Sequence, residues 1–269
     1  MLTALSSALG WAYFLCWGSS LYPPILLNRR LKSVEGVSLD FALMNGLGYL
    51  TYTTSVCLLY YNGTVRAQYA DRHKDGPDSS EPNYPLIRFN DVAYGVHGAI
   101  LVSVLLFQIY GTSYTRGPRQ RLGRFAKTLL AAMVCICILF SYHAWSVKDT
   151  PHPYQLVDVA MGLGNVKVVM STAKYIPQIA HNHQRRTTKG WSMSSVHLDI
   201  AGGVLSLLQL VLDGYMRHDI KGIFNNSVKL ALSLVTMLFN CIFMFQHYVL
   251  YGAPEQLPEV IALSTMEHQ

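Results

Sequence analysis

Seven long apolar runs, parted by short polar blocks, account for most of the chain: roughly 4–27, 38–60, 90–110, 125–147, 154–181, 195–216 and 228–251. Each approaches or exceeds the ~20 residues that cross the hydrocarbon core of a bilayer. The pattern predicts an all-α membrane protein with one helix per run. The fifth run departs from it. Lys167, Lys174, Gln178 and Asn182 recur at helical spacing inside it, within roughly 80° of one another at about 100° per residue. Two ammonium groups facing lipid would each cost on the order of 2.5–3.5 kcal/mol, so this face is expected to look onto a wet cavity or an anionic ligand. Pro177 falls in the same stripe and removes the helical partner of the Ala173 carbonyl. A proline-broken helix with cations and amides facing inward is how membrane transporters build a small-solute site.

Composition agrees with this reading. Hydrophobic residues make up 51% of the chain and charged residues only 13%, against about a quarter charged in soluble domains. A single membrane domain over 1–269 is expected, without room for a second. The first run lacks a basic n-region and continues as a full span, so it is expected to remain as the first helix. The cysteines, Cys16, Cys57, Cys135, Cys137 and Cys241, all fall within spans and suggest packing residues. Neither a disulfide framework, a metal site nor a cofactor is indicated.

Charge sets an orientation. The loops after spans one, three and five carry Arg29, Arg30, Lys32, Arg116, Arg119, Arg121, Arg124, Arg185, Arg186 and Lys189 against Glu35 alone. The 61–89 segment instead balances its charges. The positive-inside rule then puts the first set of loops in the cytosol, the N-terminus in the lumen and the C-terminus in the cytosol. Two glycosylation sequons, at Asn62 and Asn225, fall in loops on the luminal side. The net charge of +6 is therefore a matter of topology, and nucleic acid is not an expected partner.

A repeat runs through the chain at a shift of 154 positions. Pro23-Pro24-Ile25 corresponds to Pro177-Gln178-Ile179, Asn28 to Asn182, Lys32 to Arg186, Ser33 to Thr187, and Gly36 and Ser38 to Gly190 and Ser192. Paired proline-broken helices in two halves point to a transporter built from repeats, with hinges at Pro23, Pro24, Pro177 and Gln178. Because spans one and five enter from the same side, the repeats are parallel. The expected division is a three-helix repeat over about 4–110, a linking helix over about 125–147, a second repeat over about 154–251 and a tail over 252–269.

Pro177-Gln178, with Lys174-Tyr175 before it and Arg186-Thr187-Thr188-Lys189-Gly190-Trp191-Ser192 after it, resembles the second motif of the PQ-loop family. Within that family the chain is most similar to the branch that exports cystine from lysosomes with protons. Gly10-Trp11-Ala12-Tyr13-Phe14-Leu15-Cys16-Trp17, Asn90-Asp91-Val92, Gly202-Gly203 through Ser206-Leu207-Leu208-Gln209, and Phe245-Gln246-His247 carry that similarity. It implies the 3+1+3 helix arrangement of SWEET carriers, a lysosomal or vacuolar membrane, and L-cystine and protons as partners of a chain expected to act as a monomer. Pro24 stands where the first motif has Gln, Asn240 where animal members have Asp, and Ser195 where they have Asn. The lack of a luminal region before span one makes a plant or other non-animal member the expectation.

The resemblance assigns substrate contact to Asn45, Lys167, Lys174, Tyr175, Asn182, Ser195 and Asp199. The chemistry is apt: cystine carries two carboxylates for the lysines and two ammoniums for acceptors, and Asn45, Gln178 and Asn182 donate and accept at once. Tyr175 and Trp17 are expected to line the middle, beside the disulfide. Structural roles remain open: snorkelling or ion pairing for the lysines, an interhelical hydrogen bond for Asn45. Asp199, one turn after Ser195, is the expected proton carrier, its charge coupled to whatever occupies the lysines. Asp91 is the second coupling candidate, with a helix-start acid as its plain alternative. One proton falling through two pH units is worth about 2.7 kcal/mol at ~1.36 per unit, roughly a hundredfold driving force. Three rival readings stand beside this one: a PQ-loop carrier of another amino acid, a sugar carrier, and a non-transporting sorting receptor resembling KDEL receptors. No nucleophile–base pair supports an enzyme.

Overall fold

The computed structural model describes residues 2–34, 39–73, 84–116, 121–146, 154–186, 188 and 193–251; within its helices the side chains of Leu27, Leu31, Pro177, Gln178, 180–182, 184 and 185 lie outside that description, as does the 252–269 tail. The described residues are almost entirely helical: α1 (Leu2–Ser19), α2 (Tyr22–Leu31), α3 (Leu39–Tyr61), α4 (Gly63–Arg72), α5 (Phe89–Tyr110), α6 (Arg124–Ser146), α7 (Leu156–Arg185), α8 (Met193–Met216), α9 (Ile220–Asn225) and α10 (Ser227–Phe245), the last extended by a π-turn over Gln246–Leu250.

Among the described residues, five helices are long and apolar enough to cross a membrane: α5, α6, α8, the first 21 residues of α7, and α10 with its π-turn. The sequence pattern predicts seven. The first expected span is split in two, because α1 stops at Ser19 and α2 starts with Pro23-Pro24 in its first turn. Proline is tolerated there because the first helical N–H groups have no intrahelical partner anyway. The second expected span, α3, is long but buries Asn45, Tyr49, Thr51, Tyr52 and Ser55, which lower its mean hydropathy. Its polarity faces other helices rather than lipid.

The two proline sites behave differently. The Pro23 site is a true break, with Ser20 N–H donating to the Cys16 carbonyl and Leu21 N–H to that of Gly18. At Pro177, by contrast, α7 continues as α-helix to Arg185. The expected second break is thus corrected to a proline accommodated within a helix. Such prolines persist in membrane helices where neighbours satisfy the polar groups around them. Two residues past Pro177, Gln246 Nε2 donates to the Ile179 carbonyl at 3.0 Å.

Helix packing follows the repeat. α3 packs on α7 and α1 on α8, while α5 receives α3, α1 and α2, and α10 receives α8 and α7. Exchanging α1–α2 with α7, α3 with α8 and α5 with α10 turns each of these packings into another that is present. α6 stands apart: it touches α7 and lightly α3, and buries only Ala126 and Ala144. Close approach depends on glycine where α8 crosses its neighbours. A Cβ on Gly202 would lie 2.6 Å from the Trp17 ring, and one on Gly203 would lie 3.3 Å from the Ser233 carbonyl oxygen.

The repeat extends to backbone strain. α2 ends on Lys32 at φ 50° and α7 on Arg186 at φ 54°, positions 154 apart. Side chains other than glycine pay roughly 1–2 kcal/mol in this left-handed conformation. Arg186 is exposed, so Arg186→Gly is expected to stabilise the protein by about 0.5–1 kcal/mol. A rise in the thermal unfolding midpoint in detergent would show it; no rise, or a fall, would count against strain at this cap.

At the opposite end of the bundle, α4 packs on α7 and α3. Asn62 caps it by accepting from Val65 N–H at 3.0 Å. Gln68 Oε1 accepts from Val157 N–H at 3.0 Å, and Arg72 grips Asp158 at the start of α7. Burial pushes the Tyr69 phenol up to about 12. Asn62 and Asn225 both lie at this end, since Leu59, Tyr69 and Asn225 line one narrow cavity. We call it the sequon end, and the other the basic-loop end.

Candidate functional site

Midway between the ends, α1, α3, α7 and α8 converge on a cationic cluster. Lys174 Nζ donates to Asn45 Oδ1 at 3.1 Å, and its charge lies 4.8 Å from the Tyr175 ring centroid and 5.1 Å from that of Phe41. Lys167, two helical turns earlier on the same face, is 3% exposed. Its ammonium has no hydrogen-bond acceptor among the described residues and lies 3.5 Å from the centroid of the Tyr49 ring. A cation over an aromatic face is held by the ring quadrupole, a weaker hold than a carboxylate would supply. Asn45 is equally under-used: its Oδ1 is taken, while its buried Nδ2 has no hydrogen-bond partner among the described residues.

Asp199 brings the negative charge. Its carboxylate is near enough for the charges of Lys174 and Lys167 to act on it, with Ser20 and Asn240 beside it; Ser20 Oγ donates to the Trp17 carbonyl at 2.8 Å and Asn240 Nδ2 to that of Thr236 at 2.9 Å. Trp17 Nε1 donates to the Asp199 carbonyl at 3.0 Å, fixing α1 against α8 at this level. Tyr175 is buried and stacked on Phe239 at 5.3 Å between centroids. Six of the expected contact residues therefore meet: Trp17, Asn45, Lys167, Lys174, Tyr175 and Asp199. Ser195 is half-buried one turn before Asp199 on α8. The side chains of Gln178 and Asn182 lie outside the described residues.

Asp91 is not in this cluster. It sits at the start of α5, near the sequon end, and is 1% exposed. Its place as a helix-start acid is observed, and it is also ion-paired. Its Oδ2 accepts from Arg88 N–H at 2.7 Å as a helix cap, and its Oδ1 accepts from Lys229 Nζ at 2.7 Å and from Tyr13 Oη at 2.5 Å. Lys229 also donates to Gln209 Oε1 at 2.7 Å. Gln209 in turn bonds Asn90 and the Ser6 carbonyl, and Ser6 reaches Asp213, which Arg88 holds through two nitrogens at 2.6 Å. This network ties α1, α5, α8 and α10 together on the side of the bundle bearing the narrow cavity.

Tyrosines link the two clusters. Tyr13 contacts Tyr94 edge to face at 6.0 Å, and Tyr94 shares a 2.9 Å hydrogen bond with Tyr49, whose ring holds Lys167. Sequence reasoning missed Lys229, Asp213, Arg88 and Tyr49. Lys229 had a signal, a lysine two residues inside the start of an apolar run, but at a span edge such a residue reads as interfacial. Tyr49 had none, because a tyrosine in a tyrosine-rich helix is ordinary.

Lys229 and Asp91 are also related by the repeat. Phe107-Gln108 in α5 matches Phe245-Gln246 at the end of α10, and Asp91 and Lys229 each precede their glutamine by 17 positions. The buried ion pair thus joins equivalent sites of the two halves.

Comparison with known proteins places these features in context. The PQ loop repeat matches residues 5–65 and again residues 159–218, 154 positions on. A cystinosin homolog of Arabidopsis thaliana is 34% identical over 90% of the chain and 84% of its own length. A cystinosin homolog of Dictyostelium discoideum is 33% identical over 94% and 84%. A cystine transporter of Saccharomyces cerevisiae is 30% identical over 92% and 95%.

Proposed function

The chain belongs to the cystinosin family of PQ-loop proteins, and from that premise we propose that it exports L-cystine, with protons, from a lysosomal or vacuolar lumen to the cytosol. The observation that carries this reading is the central cluster itself. A buried lysine, Lys167, and a half-buried one, Lys174, lie within reach of one aspartate, and among the described residues the Lys167 ammonium has no hydrogen-bond acceptor, resting on the Tyr49 ring. Such a site has unspent cationic capacity for carboxylates, and Asn45 Nδ2 adds a free donor.

In this reading seven spans form a 3+1+3 arrangement in one domain, with α1–α2, α3 and α5 as one repeat, α6 as the link, and α7, α8 and α10 as the other. The sequon end faces the lumen and the basic-loop end the cytosol, in keeping with the positive-inside rule. Cystine entering from the lumen sets a carboxylate on Lys167, which leaves the Tyr49 ring, and another on Lys174. Tyr175 and Trp17 flank the disulfide. Protonation of Asp199 removes the competing anion, so proton and substrate load together. Gln178, Asn182 and Ser195 complete the contacts. The halves then rock about the Pro23–Pro24 break and the Pro177–Gln178 segment, with Asp91 coupling the luminal side to the proton. Asn62 and Asn225 face the lumen, where glycans are added.

Uptake of labelled cystine into proteoliposomes, with the substrate side stepped from acidic to neutral pH, tests the proposal. Acid should stimulate uptake, and excess lysine or glucose should not compete. Lys174→Ala should weaken cystine binding by about ten- to hundredfold, as befits a lost charge-assisted hydrogen bond. Binding without uptake at either pH would instead indicate a receptor.

A further inference from the structure

Two glutamines that the transport cycle above leaves unused occupy matching places in the two halves. Gln108 in α5 is 6% exposed, and Gln246 at the end of α10 is 3% exposed. Gln108 Nε2 donates to the Ile25 carbonyl at 3.1 Å, and Gln246 Nε2 donates to the Ile179 carbonyl at 3.0 Å. Ile25 and Ile179 correspond at the 154 shift, each two residues past its repeat proline. These bonds run from the third helix of each half to the post-proline segment of the first. A carbonyl has two lone pairs, so each can keep a helical bond and still accept the glutamine.

Further bonds reinforce each tie. In the first half, Asn28 Nδ2 donates to Gln108 Oε1 at 3.1 Å, and beyond the left-handed Lys32, Val34 N–H donates to the Thr115 carbonyl and Thr115 N–H to that of Lys32. In the second half, Thr188 Oγ1 meets His247 Nδ1 at 2.6 Å, and His183 Nδ1 meets Tyr251 Oη at 2.9 Å. Each post-proline segment runs nine positions from proline to left-handed residue, Pro23 to Lys32 and Pro177 to Arg186. At the basic-loop end, each half thus has a helical segment fastened to its own third helix, with a proline at the segment's start: a break before α2 in the first half, a continuous α7 in the second.

We propose that Gln108 and Gln246 are positioning residues for gating, clamping each post-proline segment to the third helix of its half so that the basic-loop end opens as two fastened blocks. This rests on the transporter reading for its consequence but not for its test. A Met in place of either Gln preserves size and unbranched shape while removing the donor, which separates the clamp from mere packing. Hydrogen exchange on the full chain in lipid nanodiscs, without substrate, reads the clamp directly. Gln108→Met should speed amide exchange in Tyr22–Leu31 by about fivefold, and Gln246→Met should do the same in 177–185, the size of one neutral hydrogen bond. Each should leave the other half unchanged. In proteoliposomes both should slow cystine uptake by about fivefold at an unchanged Kd. Wild-type exchange in both Met variants, or acceleration spread evenly over α1, α3 and α8, overturns the clamp. A wild-type protein that moves no cystine would sink the transport reading and leave the exchange result to decide this one.

Discussion

Asp199→Asn is expected to transport cystine without regard to pH. In the central cluster the charges of Lys174 and Lys167 act on Asp199, with Ser20 and Asn240 beside it. An Asn there keeps the shape but resembles only the protonated acid. If protonation of this group lets the lysines receive carboxylates, the variant should bind cystine at neutral pH about as well as wild type binds it in acid. What it should lose is the harvest of the gradient. Wild type under two pH units gains roughly a hundredfold accumulation per proton, whereas the variant should reach equal concentrations on both sides and no more. Equilibrium exchange of labelled for unlabelled cystine at matched pH should survive. Accumulation at wild-type ratios in the variant would move the proton carrier elsewhere.

The second large effect concerns the sequon end. Lys229→Met leaves Asp91, 1% exposed, with Tyr13 and a backbone N–H but no cation. Removing one partner of a buried pair typically costs about 3–5 kcal/mol, while replacing both can be close to neutral. Lys229→Met should therefore fold poorly, with a much lowered unfolding midpoint in detergent. Asp91→Asn combined with Lys229→Met should recover most of the loss. A double variant no better than the single would mean that the lysine matters through Gln209, to which it also donates at 2.7 Å, rather than through the ion pair.

These two clusters differ in how much of them could be read in advance. Lys167, Lys174 and Asp199 stood out because charge deep in an apolar run is expensive and demands a reason. Asn45 and Trp17 entered through the resemblance or as plausible lining, and the fold brings both to the same place. The partnership of Asp91 with Lys229 was hidden, since each lies near the edge of its run and nothing in one dimension says that α5 and α10 meet there. The fold shows the same division. Hydropathy marked the helices, but α3 hides its polar residues among neighbours and so falls short of a lipid-facing composition. Proline marked both special segments in advance, yet only packing distinguishes the open break before α2 from the continuous α7. Gln178 and Asn182, whose side chains lie outside the described residues, are placed at the site by helical spacing and by the repeat.

The ion pair between Asp91 and Lys229 has a further meaning for how such a chain arose. Two identical half-proteins assembled about a twofold axis would set aspartate against aspartate, or lysine against lysine, at this buried point. Like charges there would repel, so neither half could dimerise with itself while keeping the residue it has now. Opposite charges at equivalent positions require two copies free to mutate separately, as gene duplication provides whether or not the copies are already joined. At this point the two halves are therefore complementary rather than interchangeable, and each carries the charge that the other lacks.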